Sequence, residues 1–312
     1  MTTSFDIPSL VGKTLTGIWN RRRYVVERKL GEGANGWVFL VRSGMNRYAL
    51  KIGMDAIDIQ SEANVLRKVS ATEGPFHSWL VDVDDIRLGG TLRSFYVMKY
   101  VPGVHIRSFI RNKGEAWLPV AGLRLLQRLN ALHRMGLVFG DLKQENILVS
   151  GFAEVGLVDF GGVTPMGQAV KQFTELYDRC FWHAGSRTAD EGYDLFAFAI
   201  LVLQLLEEAH QAPFLSAHAG TDQRNVRTIH RLRDTLLAHP AGRVYAPFLW
   251  KALTGSFADS AQAIREWRGL FDGRYPDARR NRDPLGPLVP VLLKTGFALS
   301  LFLFAFVVYY YR

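Results

Sequence analysis

Phe139-Gly140-Asp141-Leu142-Lys143-Gln144-Glu145-Asn146-Ile147-Leu148-Val149 sets an acid, a base and an amide at short fixed intervals before a strand-like end. A little further on, Gly156-Leu157-Val158-Asp159-Phe160-Gly161 closes another β-like run with a second acid. These residue types suit phosphoryl transfer: a carboxylate to orient a hydroxyl, a lysine for the transferred phosphoryl group, and Asn146 with Asp159 as hard oxygen ligands for Mg2+. Upstream, Gly31-Glu32-Gly33-Ala34-Asn35-Gly36-Trp37-Val38 lies between two strand-like segments. A dinucleotide fold would place a helix after the last glycine. Residues 37–41 are β-like instead, which predicts a hairpin folded over nucleotide phosphates. Ala49-Leu50-Lys51 then puts an ammonium on the next strand, and Glu62 on the following helix can hold it by an ion pair. Taken singly, each of these also reads as an ordinary glycine turn or a solvated charge.

In this order the motifs resemble the eukaryotic-type (Hanks-type) serine/threonine protein kinase family, over about residues 24–271. The resemblance implies an α+β bilobal protein-kinase fold, with a small β-rich N-lobe and a larger helical C-lobe. It implies ATP and Mg2+ (or Mn2+) as cofactors, protein substrates, and a transient homodimer for trans-autophosphorylation. By the same resemblance Gly31, Gly33, Gly36 and Val38 belong to the glycine-rich loop, Lys51 and Glu62 to the ion pair, and Met98 to the gatekeeper position before the hinge at 99–101. Asp141 is the catalytic base, Lys143 contacts the γ-phosphate, Asn146 and Asp159 are metal ligands, and Asp194 is a buried aspartate under the catalytic loop. Lys143 points to the serine/threonine branch.

The departures from the family carry expectations too. Gly140 stands where the family has arginine, so phosphate on Thr164 or Thr174 lacks its usual bidentate partner and is not required. Phe139 replaces a histidine and is expected to fill its place beside Phe160. The family's Ala-Pro-Glu is absent near Phe181, as is its arginine partner near Ala258 and Asp259; losing both strands no buried charge. Phe139-Gly140-Asp141 together with Tyr177-Asp178-Arg179 resembles the short membrane-anchored kinases of endospore-forming bacteria, which implies a role in sporulation.

Of the 312 residues, 48% are apolar and 21% charged, which excludes a disordered or collagen-like chain. The single cysteine, Cys180, permits no intramolecular disulfide and suits a reducing compartment. Lys and Arg outnumber Asp and Glu by 38 to 29, a formal +9 that favours phosphate-bearing partners. The eight histidines show no metal-ligand spacing.

Residues 295–311 carry no charge, Lys294 can snorkel so that Leu292 and Leu293 enter the bilayer, and Tyr309 to Tyr311 form an aromatic belt. Arg279, Arg280, Arg282 and Lys294 mark the near side as cytoplasmic. Residues 1–12 show no basic stretch followed by an apolar run, so no signal peptide is expected there. The expectation is a single-pass cell-membrane protein with a cytoplasmic kinase domain; the alternative for the apolar stretch is a buried core helix. The predicted limits are an extension at 1–19, the N-lobe at 20–101, the C-lobe at 102–272, a basic Pro/Gly linker at 273–291 and a transmembrane helix at 292–311.

Arg224, Arg227 and Arg231 fall on one face of a helix predicted over 223–238, with Arg233 and the Arg21–Arg23 cluster in support. They are candidate DNA contacts that neutralise phosphates without reading bases and would stimulate the kinase. The alternative is a solvated face, or arginines that touch anionic lipid. A pseudokinase scaffold, a small-molecule phosphotransferase and a membrane-tethered nucleic-acid-binding protein are the rival functions. The first would be expected to have lost Lys51, Asp141, Asn146 or Asp159, and all four are present.

Overall fold

Along residues 23–53 Tyr24 and Val26 are buried between more open neighbours, while 39–41 and 49–53 are buried without a break, the pattern of strands packed on a core around two tight turns. The computed structural model describes residues 10–33, 35–211 and 229–271. It places β1 (Thr14–Thr16), β2 (Arg23–Gly33), β3 (Gly36–Ser43) and β4 (Asn46–Gly53) ahead of α1 (Ala56–Ser70). β5 (Leu80–Leu88) and β6 (Thr91–Lys99) complete an antiparallel sheet of order β1-β2-β3-β4-β6-β5. Tyr24, Val26, Phe39, Val41, Leu50, Ile52, Phe95 and Val97 fill its core. Asp55 caps α1 by accepting from the Ile57 N–H at 2.6 Å, and Ile59, Ala63, Leu66 and Val69 are buried at helical spacing. At ~1.5–3 kcal/mol per large aliphatic side chain, this face fixes the helix beside the sheet. Glu62 lies on the same buried face.

The stretch read as an N-terminal extension belongs in part to this lobe. Leu10 and Leu15 are buried in the sheet core, and β1 pairs with β2. The turn after β1 is tied to aspartates of β5: the Trp19 and Asn20 N–H groups donate to Asp84 at 2.9 and 2.8 Å, and the Tyr24 hydroxyl to Asp82 at 2.7 Å. β5 can therefore begin at Leu80, earlier than the strand expected at 84–88, although it is rich in acids, because Asp82 and Asp84 are used by these ties instead of facing water.

The second lobe contains β7 (Val104–His105), α2 (Ile106–Lys113), α3 (Leu118–His133), β8 (Leu137–Val138), β9 (Ile147–Ser150), β10 (Glu154–Leu157) and β11 (Thr164–Pro165). Helices α4 (Glu191–His210), α5 (Ile229–Ala238), α6 (Pro240–Leu253) and α7 (Ser260–Gly269) follow. α4 is buried over most of its length, as its apolar sequence requires. Trp267 of α7 closes the core against α3. A Cβ on Gly122 would meet its ring at 2.6 Å, Phe198 and Phe248 stand 5.1 and 4.9 Å from it, and its N–H donates to the Pro119 carbonyl at 2.9 Å.

Arg224 and Arg227 lie outside the described residues, and Arg231 is placed on α5 by its backbone. The linker at 273–291 and the apolar stretch 292–311 also lie outside them. Among the described residues no helix is long and apolar enough to cross a membrane.

Candidate active site

A cavity of about 1010 Å³ opens between the sheet and the helical lobe. Gly31, Gly33, Gly36, Val38, Lys51, Met98, Asp141, Lys143, Asn146 and Asp159 all line it. The hairpin over it is set by glycine. Gly33 and Gly36 are register partners, and Gly36 has φ +136° with no room for a side chain, since a Cβ would meet the Ile52 carbonyl oxygen at 2.1 Å. A Cβ on Gly31 or Gly33 would meet nothing within 4 Å, so the backbone there is open to close approach by a ligand.

Lys51 faces this cavity from β4 and is nearly buried. Its Nζ donates to both oxygens of Glu62, at 2.7 and 2.8 Å, and to Asp159 Oδ1 at 3.1 Å. Burial pushes the ammonium down, but the carboxylates of Asp159 and Glu62 outweigh it and hold Lys51 above the usual lysine value. The same burial pushes the Glu62 carboxyl up. The Tyr96 hydroxyl, not anticipated from sequence, donates to Glu62 Oε2 at 2.8 Å. Glu62, grouped with the nucleotide-binding residues on sequence grounds, does not line the cavity; it acts on the site through Lys51.

The loop bearing Asp141 is held from below. Asp194 of α4 is fully buried and accepts from the Phe139 and Gly140 N–H groups at 2.8 and 2.9 Å. Its Oδ2 also lies 2.9 Å from His133 Nε2 at the end of α3. The other ring nitrogen of His133 is 3.5 Å from Glu191, an ion pair without hydrogen-bond geometry. Burial lowers the His133 pKa, but the two carboxylates prevail and raise it from 6.5 to about 9. A raised folded-state value means that the stabilisation is complete below pH 6.5 and disappears as pH rises through about 9. The stability gap between the native chain and His133→Gln, measured by denaturant titration, should therefore close by about 3 kcal/mol from pH 6 to pH 9.5. A gap independent of pH would show that folding leaves the His133 pKa unshifted.

Phe139 takes the place expected of it, edge-on to Phe160 at 6.0 Å, and Phe76 adds a third ring at 5.8 Å. Near the missing Ala-Pro-Glu, Trp182 is buried and its indole N–H donates to the Leu176 carbonyl at 2.7 Å. Asp259 caps α7 by accepting from the Gln262 N–H at 2.6 Å. No buried charge is stranded at either place.

Above the loop, Lys143 Nζ donates to Asp141 Oδ2 at 2.6 Å, and the Thr174 hydroxyl donates to Asp141 Oδ1 at 3.0 Å. The Asn146 amide donates to the Asp141 backbone carbonyl at 2.8 Å, which leaves its side-chain oxygen for a hard cation. Asp159, at φ +65°, uses Oδ1 toward Lys51 and the Gly161 N–H. That backbone conformation costs on the order of 1–3 kcal/mol in a non-glycine residue and holds the carboxylate at the cavity wall. Two hard oxygen donors beside an open glycine hairpin suit a divalent ion and a nucleotide. Sequence reading also missed Gln144, whose amide donates to Gln204 of α4 at 3.2 Å, while the Tyr177 hydroxyl donates to the same Gln204 oxygen. Gln144 and Gln204 are far apart in the chain, so no local pattern links them.

Residues 24–248 match the protein kinase domain family, and the chain belongs to it. It is an ATP-dependent Hanks-type serine/threonine protein kinase, of a family that works with a divalent metal ion. The chain is similar to serine/threonine-protein kinase YabT of Bacillus subtilis (strain 168), with 36% identity over 278 residues, 87% of this chain and 77% of that relative. Serine/threonine-protein kinase pakA of Talaromyces marneffei is 23% identical over 80% of this chain and 42% of its own length. Cyclin-dependent kinase 10 of Rattus norvegicus is 25% identical over 72% and 69%.

Proposed function

We propose that this kinase works from the inner face of a membrane, transferring the ATP γ-phosphoryl group to protein Ser and Thr hydroxyls with the residues assembled around the cavity. Bound ATP supplies the phosphoryl group, and the divalent ion, Mg2+ or Mn2+, neutralises its charge. The glycine hairpin at Gly31, Gly33 and Gly36, with Val38, covers the nucleotide, and Met98 lies at the back of its site. Lys51, steadied by Glu62, neutralises nucleotide phosphates. Asp141 orients the acceptor hydroxyl and takes its proton, Lys143 meets the transferred group, and Asn146 and Asp159 hold the metal. The observation that carries this reading is the convergence of Lys51, Asp141, Lys143, Asn146 and Asp159 on one cavity from three separate segments. Transfer of label from γ-labelled ATP to Ser or Thr of casein, with Mg2+ and Mn2+ compared, tests it. Equal transfer by Asp141→Asn and Asp159→Asn would overturn it.

The uncharged run at 295–311 supports single-pass membrane anchoring with the kinase body in the cytoplasm. Alkaline extraction should leave the full chain in the membrane fraction and release a chain cut after Asp283. Extraction of the full chain would remove the anchor. A second reading adds DNA as a stimulating partner through Arg224, Arg227 and Arg231, favoured by the +9 charge. Arg22 and Arg23 also border a shallow depression with Tyr24 and Tyr48. Duplex binding should fall steeply with salt and vary little between two unrelated sequences. Loss of stimulation in the triple Ala variant would support the assigned arginines, and no binding near physiological salt would exclude DNA. Sporulation is the proposed setting, and self-phosphorylation through a transient homodimer the proposed route. A catalytically inactive allele that left spore yield unchanged would exclude the setting, and first-order self-phosphorylation would exclude the dimer.

A further inference from the structure

The segment between Asp159 and α4 is tied down by hydrogen bonds within the chain. β11 pairs with β8, Ala169 bridges Thr188, and the Val170 N–H donates to the Arg187 carbonyl at 2.9 Å. Thr164 is fully buried and its hydroxyl donates to the Gly162 carbonyl at 2.9 Å. Gly140 has no space for a phosphate-binding side chain: at φ +82° its Cβ would meet the Gly162 oxygen at 2.5 Å.

A carboxylate from the chain itself occupies the centre of the segment. Asp178 is fully buried, a state that an ionised group tolerates only with a cation and hydrogen-bond donors around it. Its Oδ1 accepts from the Cys180 N–H and from the Tyr193 hydroxyl of α4, both at 3.1 Å, and its Oδ2 accepts from Arg187 Nε at 2.6 Å. The Arg187 guanidinium then lies 4.0 Å over the ring of Phe173. Phe173 borders the cavity and precedes Thr174, whose hydroxyl donates to Asp141 at 3.0 Å. One line of contact thus runs from the rigid helix α4 through Tyr193, Asp178, Arg187 and Phe173 to the residue that touches Asp141. The neighbouring Arg179 braces the same segment from another side: it donates to both oxygens of Asp190 at 2.8 and 2.6 Å and to the Ser186 and Thr188 carbonyls at 2.7 and 3.0 Å, and its guanidinium lies 5.5 Å over the ring of Tyr193.

We propose that Arg187, anchored on buried Asp178, is a positioning residue that sets Phe173 and Thr174 against Asp141, so that the segment reaches its working form without phosphorylation. The inference rests on reading Asp141 as the base. The full-length chain is treated with a general protein phosphatase, freed of phosphate by the criterion of intact mass, and assayed for initial rates on casein. The dephosphorylated native chain should keep its rate within about twofold, while Arg187→Ala lowers kcat at least about tenfold with the KM for ATP unchanged. Arg187→Lys keeps the cation beside Asp178 and should recover part of the loss. Asp178→Asn combined with Arg187→Ala should be no worse than Arg187→Ala alone, the mark of a coupled pair. A large loss on dephosphorylation, an unaffected Arg187→Ala, additive losses in the double variant, or a KM for ATP that moves with kcat would each overturn the proposal. Activity in Asp141→Asn would instead overturn the assignment of the base, which separates the two failures.

Discussion

Asp141→Asn should lower kcat by about 100- to 10,000-fold, the range for a lost general base, while the thermal midpoint stays near that of the native chain. The contacts explain why chemistry and fold separate here. Asp141 accepts from Lys143 on one oxygen and from Thr174 on the other. An asparagine can turn its oxygen toward Lys143 and its amide toward the Thr174 hydroxyl, which is also an acceptor. Asp159→Asn should be comparably inactive, by weakening the metal and the tie to Lys51 at 3.1 Å. Lys51→Ala is the poorer probe, because it leaves the buried Glu62 carboxylate without its cation, a loss of about 3–5 kcal/mol in stability that would accompany any loss of rate. Steady-state rates on casein together with calorimetric melting check these outcomes. Full activity in Asp141→Asn would remove it from the chemistry.

The largest effect on stability is expected from Asp194→Ala. One fully buried carboxylate satisfies two backbone N–H groups of the catalytic loop and the charged His133. Its removal leaves three buried donors unpartnered, at about 3–5 kcal/mol, which lowers the melting temperature by roughly 10 °C for a domain of this size. The loop that carries Asp141 is freed at the same time, so kcat should fall as well. Asp194→Asn keeps the volume and one acceptor and should fall between the native chain and the Ala variant. A melting temperature within a degree or two of native for Asp194→Ala would show that the loop is held by its packing alone, through Phe139 against Phe160 and Phe76.

Much of the candidate site was legible because it is built from short, contiguous patterns. The glycine run, Lys51, Asp141 to Asn146 and Asp159 each occupy one local stretch, and phosphate and metal chemistry accept few other residue types there. The three strands around the glycine hairpin were equally plain, since runs rich in Val, Tyr, Phe and Leu broken by glycine turns are a local signal. β1 and the early start of β5 were not, because three-residue pairing and an acid-rich strand look like loop until Asp82 and Asp84 meet Trp19, Asn20 and Tyr24 across the sheet. α2 was hidden in the same way behind Pro102 and Gly103. Gly103 is needed there because its Cβ would meet the Val149 carbonyl oxygen at 2.6 Å.

The amino-acid sequence alone determined the chemical class of this protein, since the residue types suited to phosphate and metal are few and each group of them occupies a short contiguous stretch of the chain. The tertiary structure alone decided how those residues are held. His133 and Glu191 under Asp194, Tyr96 on Glu62, Phe76 on Phe160, and Arg187 between Asp178 and Phe173 come from elements distant in sequence or from side chains with no motif of their own. The physical reason is that a buried charge must find its partner wherever the fold brings a donor within about 3 Å, and the fold brings it there through packing that no local pattern encodes.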